Sequence, residues 1–261
     1  MKTLIVGDTH LMNQLIIPLV EMALETYQIN RVVMVGDYVD QWGMQNHHQL
    51  YLQELEFLKK WKDEKMSAGI EIINLVGNHD IPHIIGKSMH YSLQNPLFFD
   101  VVGEHLLDIG VQVAYQLDEF IISHAGYAMG YEPKGWHTVW LTKEDIPNLA
   151  NLHDQVGHSR GGQNAYGGPV WADFKIDLVE YFNPDLPKQI VGHTPQSTIT
   201  FTNNKQIIGV DTFSLAGSWI PLSDGSMLLY EQNEMEVIKN PTWKTIKTWD
   251  QLIEHFGVLS R

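Results

Sequence analysis

Hydrophobic and polar positions follow two periods along the first third of the chain. Lys2 to Val6 is a short apolar run that stops at Gly7 and is followed by Asp8, Thr9 and His10. From Leu11 to Tyr27 apolar residues recur at helical spacing, with Pro18 as the one irregularity. Arg31 to Val35 repeats the first pattern and ends in Gly36-Asp37-Tyr38-Val39-Asp40. Asn46 to Met66 sets Leu50, Leu52, Leu55, Leu58 and Trp61 against Gln53, Glu54, Lys59 and Lys60, which predicts a long amphipathic helix. A third run, Glu71 to Val76, ends in Gly77-Asn78-His79-Asp80. Short β-branched and aliphatic runs closed by glycine predict buried strands. Strands alternating with helices predict a parallel sheet with right-handed crossovers.

After Ile81 the pattern changes. Val111 to Leu117 and Phe120 to Ser123 predict a hairpin turning at Asp118-Glu119, followed by His124-Ala125-Gly126. Residues 127–174 show little periodicity and many Gly, Asn, His and Trp, which predicts a long functional loop over the site. Strands resume at Gln189 to Val191, ending in Gly192-His193-Thr194-Pro195. Runs at Ser197–Phe201, Gln206–Val210 and Met227–Glu231 suggest a second, antiparallel sheet, and Trp249 to Phe256 a last helix.

Composition narrows the chemistry. With 261 residues, one large α/β domain spanning 1–261 is the expectation. No apolar run approaches the ~20 residues needed to span a bilayer, and residues 3–6 are too short for a signal peptide, so the expected location is the cytoplasm. There are no cysteines, so any metal must be held by His, Asp, Glu or Asn. The net charge of −14 argues against an extended nucleic-acid footprint, and only Arg31, Arg160 and Arg261 are arginines.

Five segments then share one design, a hydrophobic strand followed by a turn bearing a hard or borderline ligand. They carry Asp8 and His10, Asp37 and Asp40, Asn78 and His79, His124, and His193. Such donors suit two divalent ions, manganese foremost, with iron, zinc or nickel as alternatives. A carboxylate such as Asp37 can bridge two ions ~3.5–4 Å apart.

The series Gly7-Asp8-Thr9-His10, Gly36-Asp37-Tyr38-Val39-Asp40, Gly77-Asn78-His79-Asp80, Ser123-His124-Ala125-Gly126 and Gly192-His193-Thr194-Pro195 resembles the calcineurin-like metallophosphoesterases. Order and spacing look closest to the branch of protein serine/threonine phosphatases, lambda-type phosphatases and symmetrical diadenosine-tetraphosphate hydrolases. The resemblance implies an α-β-β-α sandwich of two mixed sheets flanked by helices. It implies that Asp8 and His10 bind a first metal, that Asp37 bridges, and that Asn78, His124 and His193 complete a second. It further implies attack on phosphorus by a hydroxide bridging the metals, with His79 as general acid and Asp40 fixing its tautomer. Asp211 resembles a residue of a later family strand.

The departures bear on the substrate. The family's phosphate-clamping arginine after Asp40 is Gln41 here, followed by Trp42, and Val76 stands where another arginine often precedes Gly77. Leu11 replaces a glycine, and Pro195 a histidine, the latter as in the protein-phosphatase branch. Arg160 is the expected replacement phosphate ligand, with Lys134 and His158 behind it, and Gln41 and Trp42 the expected substrate contacts. Trp42, Trp136, Trp140 and Trp171 offer faces for base stacking; the remaining histidines, His83 among them, read as packing or surface residues, and Asp80 as structural. The expected function is a phosphate monoesterase acting on a small molecule or a phosphoprotein. Its alternatives are a phosphodiesterase or nucleotide hydrolase and, last, a metal-supported binding scaffold.

Overall fold

The computed structural model describes residues 1–216 and 219–257; Arg261 lies outside them. The three apolar runs form β1 (Thr3–Val6), β2 (Arg31–Met34) and β3 (Glu71–Leu75), paired in parallel. Between them lie α1 (Asn13–Tyr27), which continues through Pro18, and α2 (His48–Ser67). A short helix α3 (Asp80–Ile84) follows β3.

Next comes an element outside the strand and helix runs expected above, α4 (Pro96–Asp108), capped by the Asn95 side chain with Pro96 in its first turn. The expected hairpin is then divided. Val111–Gln112 is β4, parallel to β3, whereas Ala114–Leu117 is β5, antiparallel to β6 (Phe120–Ser123) in a different sheet. Val113 carries the chain from one sheet to the other and is fully buried.

Two mixed sheets result, as the resemblance implied. The first runs β11-β10-β1-β2-β3-β4 and the second β5-β6-β7-β9-β8. Here β7 is Lys188–Val191, β8 Thr200–Thr202, β9 Ile207–Gly209, β10 Met227–Glu231 and β11 Glu234–Ile238. Two expectations are corrected. The second sheet is not antiparallel, because β6, β7 and β9 run parallel. Met227–Glu231 returns to the first sheet, antiparallel to β1.

Side-chain alternation explains the layering. Ile5, Val33 and Ile73 face Ile122, Ile190 and Ile208 of the other sheet, while Leu4, Val6, Val32, Met34 and Ile72 pack under the helices. Both faces of these strands are covered, which is why they read as continuous apolar runs rather than as alternating ones. The last helix, α6 (Ile246–Gly257), buries Leu252 and Phe256 in the helical layer. The opposite face of the second sheet carries Ala125, Ala172, Phe174 and Leu178, the last two from a wide helical turn over Phe174–Glu180. Within 127–174, which lacks periodicity, the chain forms α5 (Ile146–His153) and several single turns. Among the described residues no helix is long and apolar enough to cross a membrane.

Candidate active site

Strand ends from both sheets meet at one edge of the sandwich. Residues after β1, β2 and β3 bring Asp8, His10, Asp37 and Asn78; those after β6 and β7 bring His124 and His193. Ligand atoms of Asp8, His10 and Asp37 lie within 4.8 Å of one another, and so do those of Asp37, His124 and His193. Asp37 is common to both groups. Its Oδ2 stands 3.7 Å from His10 Nε2 and 3.3 Å from His124 Nε2. Asn78 Oδ1 is 2.9 Å from His124 Nε2.

The backbone is bent hard to achieve this. His10, Asp37, Asp40 and His193 have φ of 40°, 53°, 61° and 63°, in the left-handed region that ordinary side chains avoid. Four such residues at one site store conformational strain that the surrounding packing must hold. Two motif glycines have a different purpose. A Cβ on Gly77 would collide with the Asp37 carboxylate, and one on Gly192 with that of Asp8. Each glycine makes room for the acid of a neighbouring motif.

The donor set fits cations. Asp8 and Asp37 are about 1% exposed, and no Lys or Arg among the described residues pairs with either. Burial raises Asp8 well above the usual carboxylate range, and the neighbouring Asp211 carboxylate pushes it further. Burial also works against ionised Asp37, but the His124, His79 and His10 imidazoles around it hold it low. His10 Nδ1 donates to the Asp40 carbonyl at 2.8 Å and His124 Nδ1 to the Val35 carbonyl at 2.9 Å. That leaves Nε2 of each ring as the nitrogen that faces the acid cluster, where a cation would replace the proton that His124 Nε2 donates to Asn78 Oδ1. His193 Nε2 is buried without a partner. Burial, with Arg160 nearby, keeps His193 neutral by lowering its pKa.

Beside this cluster, His79 Nδ1 lies 3.3 Å from Asp40 Oδ2. Two further side chains, absent from the sequence expectation, hold the same carboxylate: Tyr51 Oη donates to Oδ1 at 2.8 Å and His83 Nε2 lies 3.1 Å from it. Burial favours the neutral acid, yet His83 and His79 keep Asp40 at about 2. Opposing burial, Asp37 and Asp40 raise the pKa of His79. His83 is four residues beyond His79, a helical spacing that was available as a signal. Tyr51 had none. Asp80 is structural, its carboxylate accepting from the Asp37, Tyr38 and Gly77 amides.

A cavity opens at His10 and His79, lined also by Asp40, Gln41, Trp42, Tyr91, Pro195, Ser214 and Leu215. Gln41 and Trp42 are therefore beside the cluster. Arg160 is not among that lining. It lies on the His193 side, donating to Thr194 Oγ1 at 2.6 Å and pairing with Asp173 Oδ2 at 3.1 Å. Lys134 lines a separate cavity, and His158 Nδ1 is engaged with the Gly162 carbonyl. Of the loop 127–174, Trp171 reaches the site, edge-on to His193 with ring centroids 5.8 Å apart.

Two facing mixed sheets with acids and imidazoles converging from their strand ends define an α/β protein built around a shared carboxylate. The chain belongs to the calcineurin-like phosphoesterase family, whose model matches residues 1–197. It is accordingly a hydrolase acting on phosphate esters. No curated protein matches the sequence. Among solved structures, the chain is similar to a cold-active protein-tyrosine phosphatase of the psychrophile Shewanella sp. (TM-score 0.52, 17% identity, 91% of this chain and 80% of that one). A second structure of a cold-active protein tyrosine phosphatase matches with TM-score 0.51 and 17% identity, over 94% and 80% of the two chains. A protein serine/threonine phosphatase from Saccharomyces cerevisiae gives TM-score 0.49 and 13% identity, over 92% and 80%. For the two tyrosine phosphatases the likeness, at 17% identity, is one of fold.

Proposed function

We propose that the protein is a dinuclear-metal phosphatase that hydrolyses phosphate monoesters of a small molecule or a phosphoprotein. The observation that carries this reading is the sharing of Asp37 between two three-residue ligand groups. Asp8, His10 and Asp37 would hold one ion, and Asp37, Asn78, His124 and His193 the other. Two divalent cations, manganese foremost, would there supply charge to the phosphate oxygens and lower the pKa of an attacking water. His79, its Nδ1 directed to Asp40, presents Nε2 as proton donor to the leaving oxygen. Asp40 fixes the tautomer. Gln41 offers a neutral amide to the phosphate where an arginine is absent, and Arg160, tied to Thr194 and Asp173 on the His193 side, would have to leave those partners to reach a phosphate oxygen.

The lack of any Lys or Arg in the cavity lining favours a second reading, a diester carrying less charge. The test is hydrolysis of p-nitrophenyl phosphate and its bis-ester by Mn²⁺-loaded protein, with Asp37→Asn as control. The monoesterase reading expects preference for the monoester and loss of at least about a hundredfold in Asp37→Asn, in the range of removing one electrostatic group. Preference for the bis-ester would transfer the assignment to a phosphodiesterase; activity indifferent to chelation and to Asp37→Asn would overturn the metal mechanism.

A further inference from the structure

A line of rings leads from the acid cluster to the surface. His10 and His79 have centroids 5.1 Å apart, His79 and Tyr91 4.5 Å, Tyr91 and His90 5.1 Å, and His90 and Trp42 5.9 Å. His10, His79, Tyr91 and Trp42 all line the one cavity. His10, His79 and Tyr91 are buried or partly so, whereas His90 is exposed and Trp42 is 63% exposed, at the mouth of a polar site. Leu215 and Pro195 add to the apolar wall, and no Lys or Arg is present in it.

We infer that the ester hydrolysed here is an aryl phosphate, with the aromatic ring attached directly to the bridging oxygen and lying against Tyr91 and Trp42. This rests on the monoesterase reading and names its leaving group. Three observations favour it. Tyr91 is packed on His79, so a ring one bond from the leaving oxygen meets an aromatic face at once. The cavity has a volume of about 160 Å³, close to the ~150 Å³ that accommodates a benzene ring. With no Lys or Arg in its lining, the cavity offers no basic side chain to the additional phosphates of a nucleoside polyphosphate. In the reaction the oxygen of water bonds to phosphorus, the bond from phosphorus to the aryl oxygen breaks, and that oxygen takes a proton from His79 to leave as a phenol.

The experiment separates stacking from leaving-group acidity. Mn²⁺-loaded wild type, Trp42→Ala and Trp42→Phe are compared on phenyl phosphate, on a fluorinated alkyl phosphate whose alcohol is about as acidic as phenol, and on adenosine monophosphate. An aromatic contact of ~1.4 kcal/mol corresponds to about tenfold, so kcat/KM should favour phenyl over fluoroalkyl phosphate by about that factor. The ratio should fall towards one in Trp42→Ala and be kept in Trp42→Phe. Equal rates on the two esters in wild type, or a ratio indifferent to Trp42→Ala, would overturn the inference and leave the monoesterase reading intact. Preference for adenosine monophosphate would replace it with a nucleotide. Failure to hydrolyse any monoester would remove both.

Discussion

Asp40 shows how much rests on one carboxylate. It accepts from Tyr51, lies against His83, and faces His79, so neither oxygen is free to turn away. Removing the Tyr51 hydroxyl deletes a buried hydrogen bond to a charged group, worth ~1.5–3 kcal/mol. Tyr51→Phe should lose about that much stability in urea unfolding. If His79 is the proton donor, the variant should also slow on alkyl phosphates more than on p-nitrophenyl phosphate, whose leaving group needs no proton. An unchanged ratio of the two rates would place Asp40 outside the proton path. At this level the sequence was generous with ligands and silent about their supports. The candidate ligands Asp8, His10, Asp37, Asn78 and His193 each follow an apolar run and a glycine, and His124 an apolar run and a serine, a signal local enough to read. Tyr51 is an ordinary helix residue until folding lays it beside Asp40.

Elements were legible where their period was local and hidden where their partner was distant. Asn95-Pro96 ahead of an apolar stretch is a readable helix start, the local signal that α4 offers. No pattern could have divided Val111 to Leu117, because an apolar strand reads alike in either sheet. The return of β10 to pair with β1 is a contact across most of the chain, invisible to periodicity. The junction of α1, α2 and α6 is a similar case, built on the buried Glu54. Gln14 donates to both of its oxygens, and His255 Nε2 lies 3.3 Å from it while donating to the Leu11 carbonyl at 2.7 Å. Burial pushes Glu54 up to about 8, against a usual value of 4.5, so the folded state holds its proton more tightly than the unfolded chain. The associated stability is present in full below pH 4.5 and is lost as pH rises through about 8. Glu54→Gln should therefore unfold with a flatter pH dependence than wild type, the difference reaching up to roughly 4 kcal/mol. Chemical unfolding at pH 5, 7 and 9 measures it, and parallel pH profiles would show Glu54 to be ionised in its site.

Across the whole molecule the candidate ligand set is divided between the sheets. Asp8, His10, Asp37 and Asn78 follow strands of the first; His124 and His193 follow strands of the second. Any ion bound by both groups binds only the assembled sandwich, so it stabilises folding as a whole. Mn²⁺ at a hundred times its Kd should add ~2.7 kcal/mol and raise Tm as one cooperative transition. Two separated transitions, with only one responding to metal, would show the sheets to melt independently.

The crossing at Val113 gives that division a further meaning. A single buried residue joins the β4 edge of one sheet to β5 of the other. The two half-sites consequently face each other at an effective concentration set by covalent reach rather than by diffusion, the condition under which a weak second ligand group binds as though it were abundant. Affinity for an ion held between the sheets would in that sense be a property of a strand crossing that touches none of its candidate ligands.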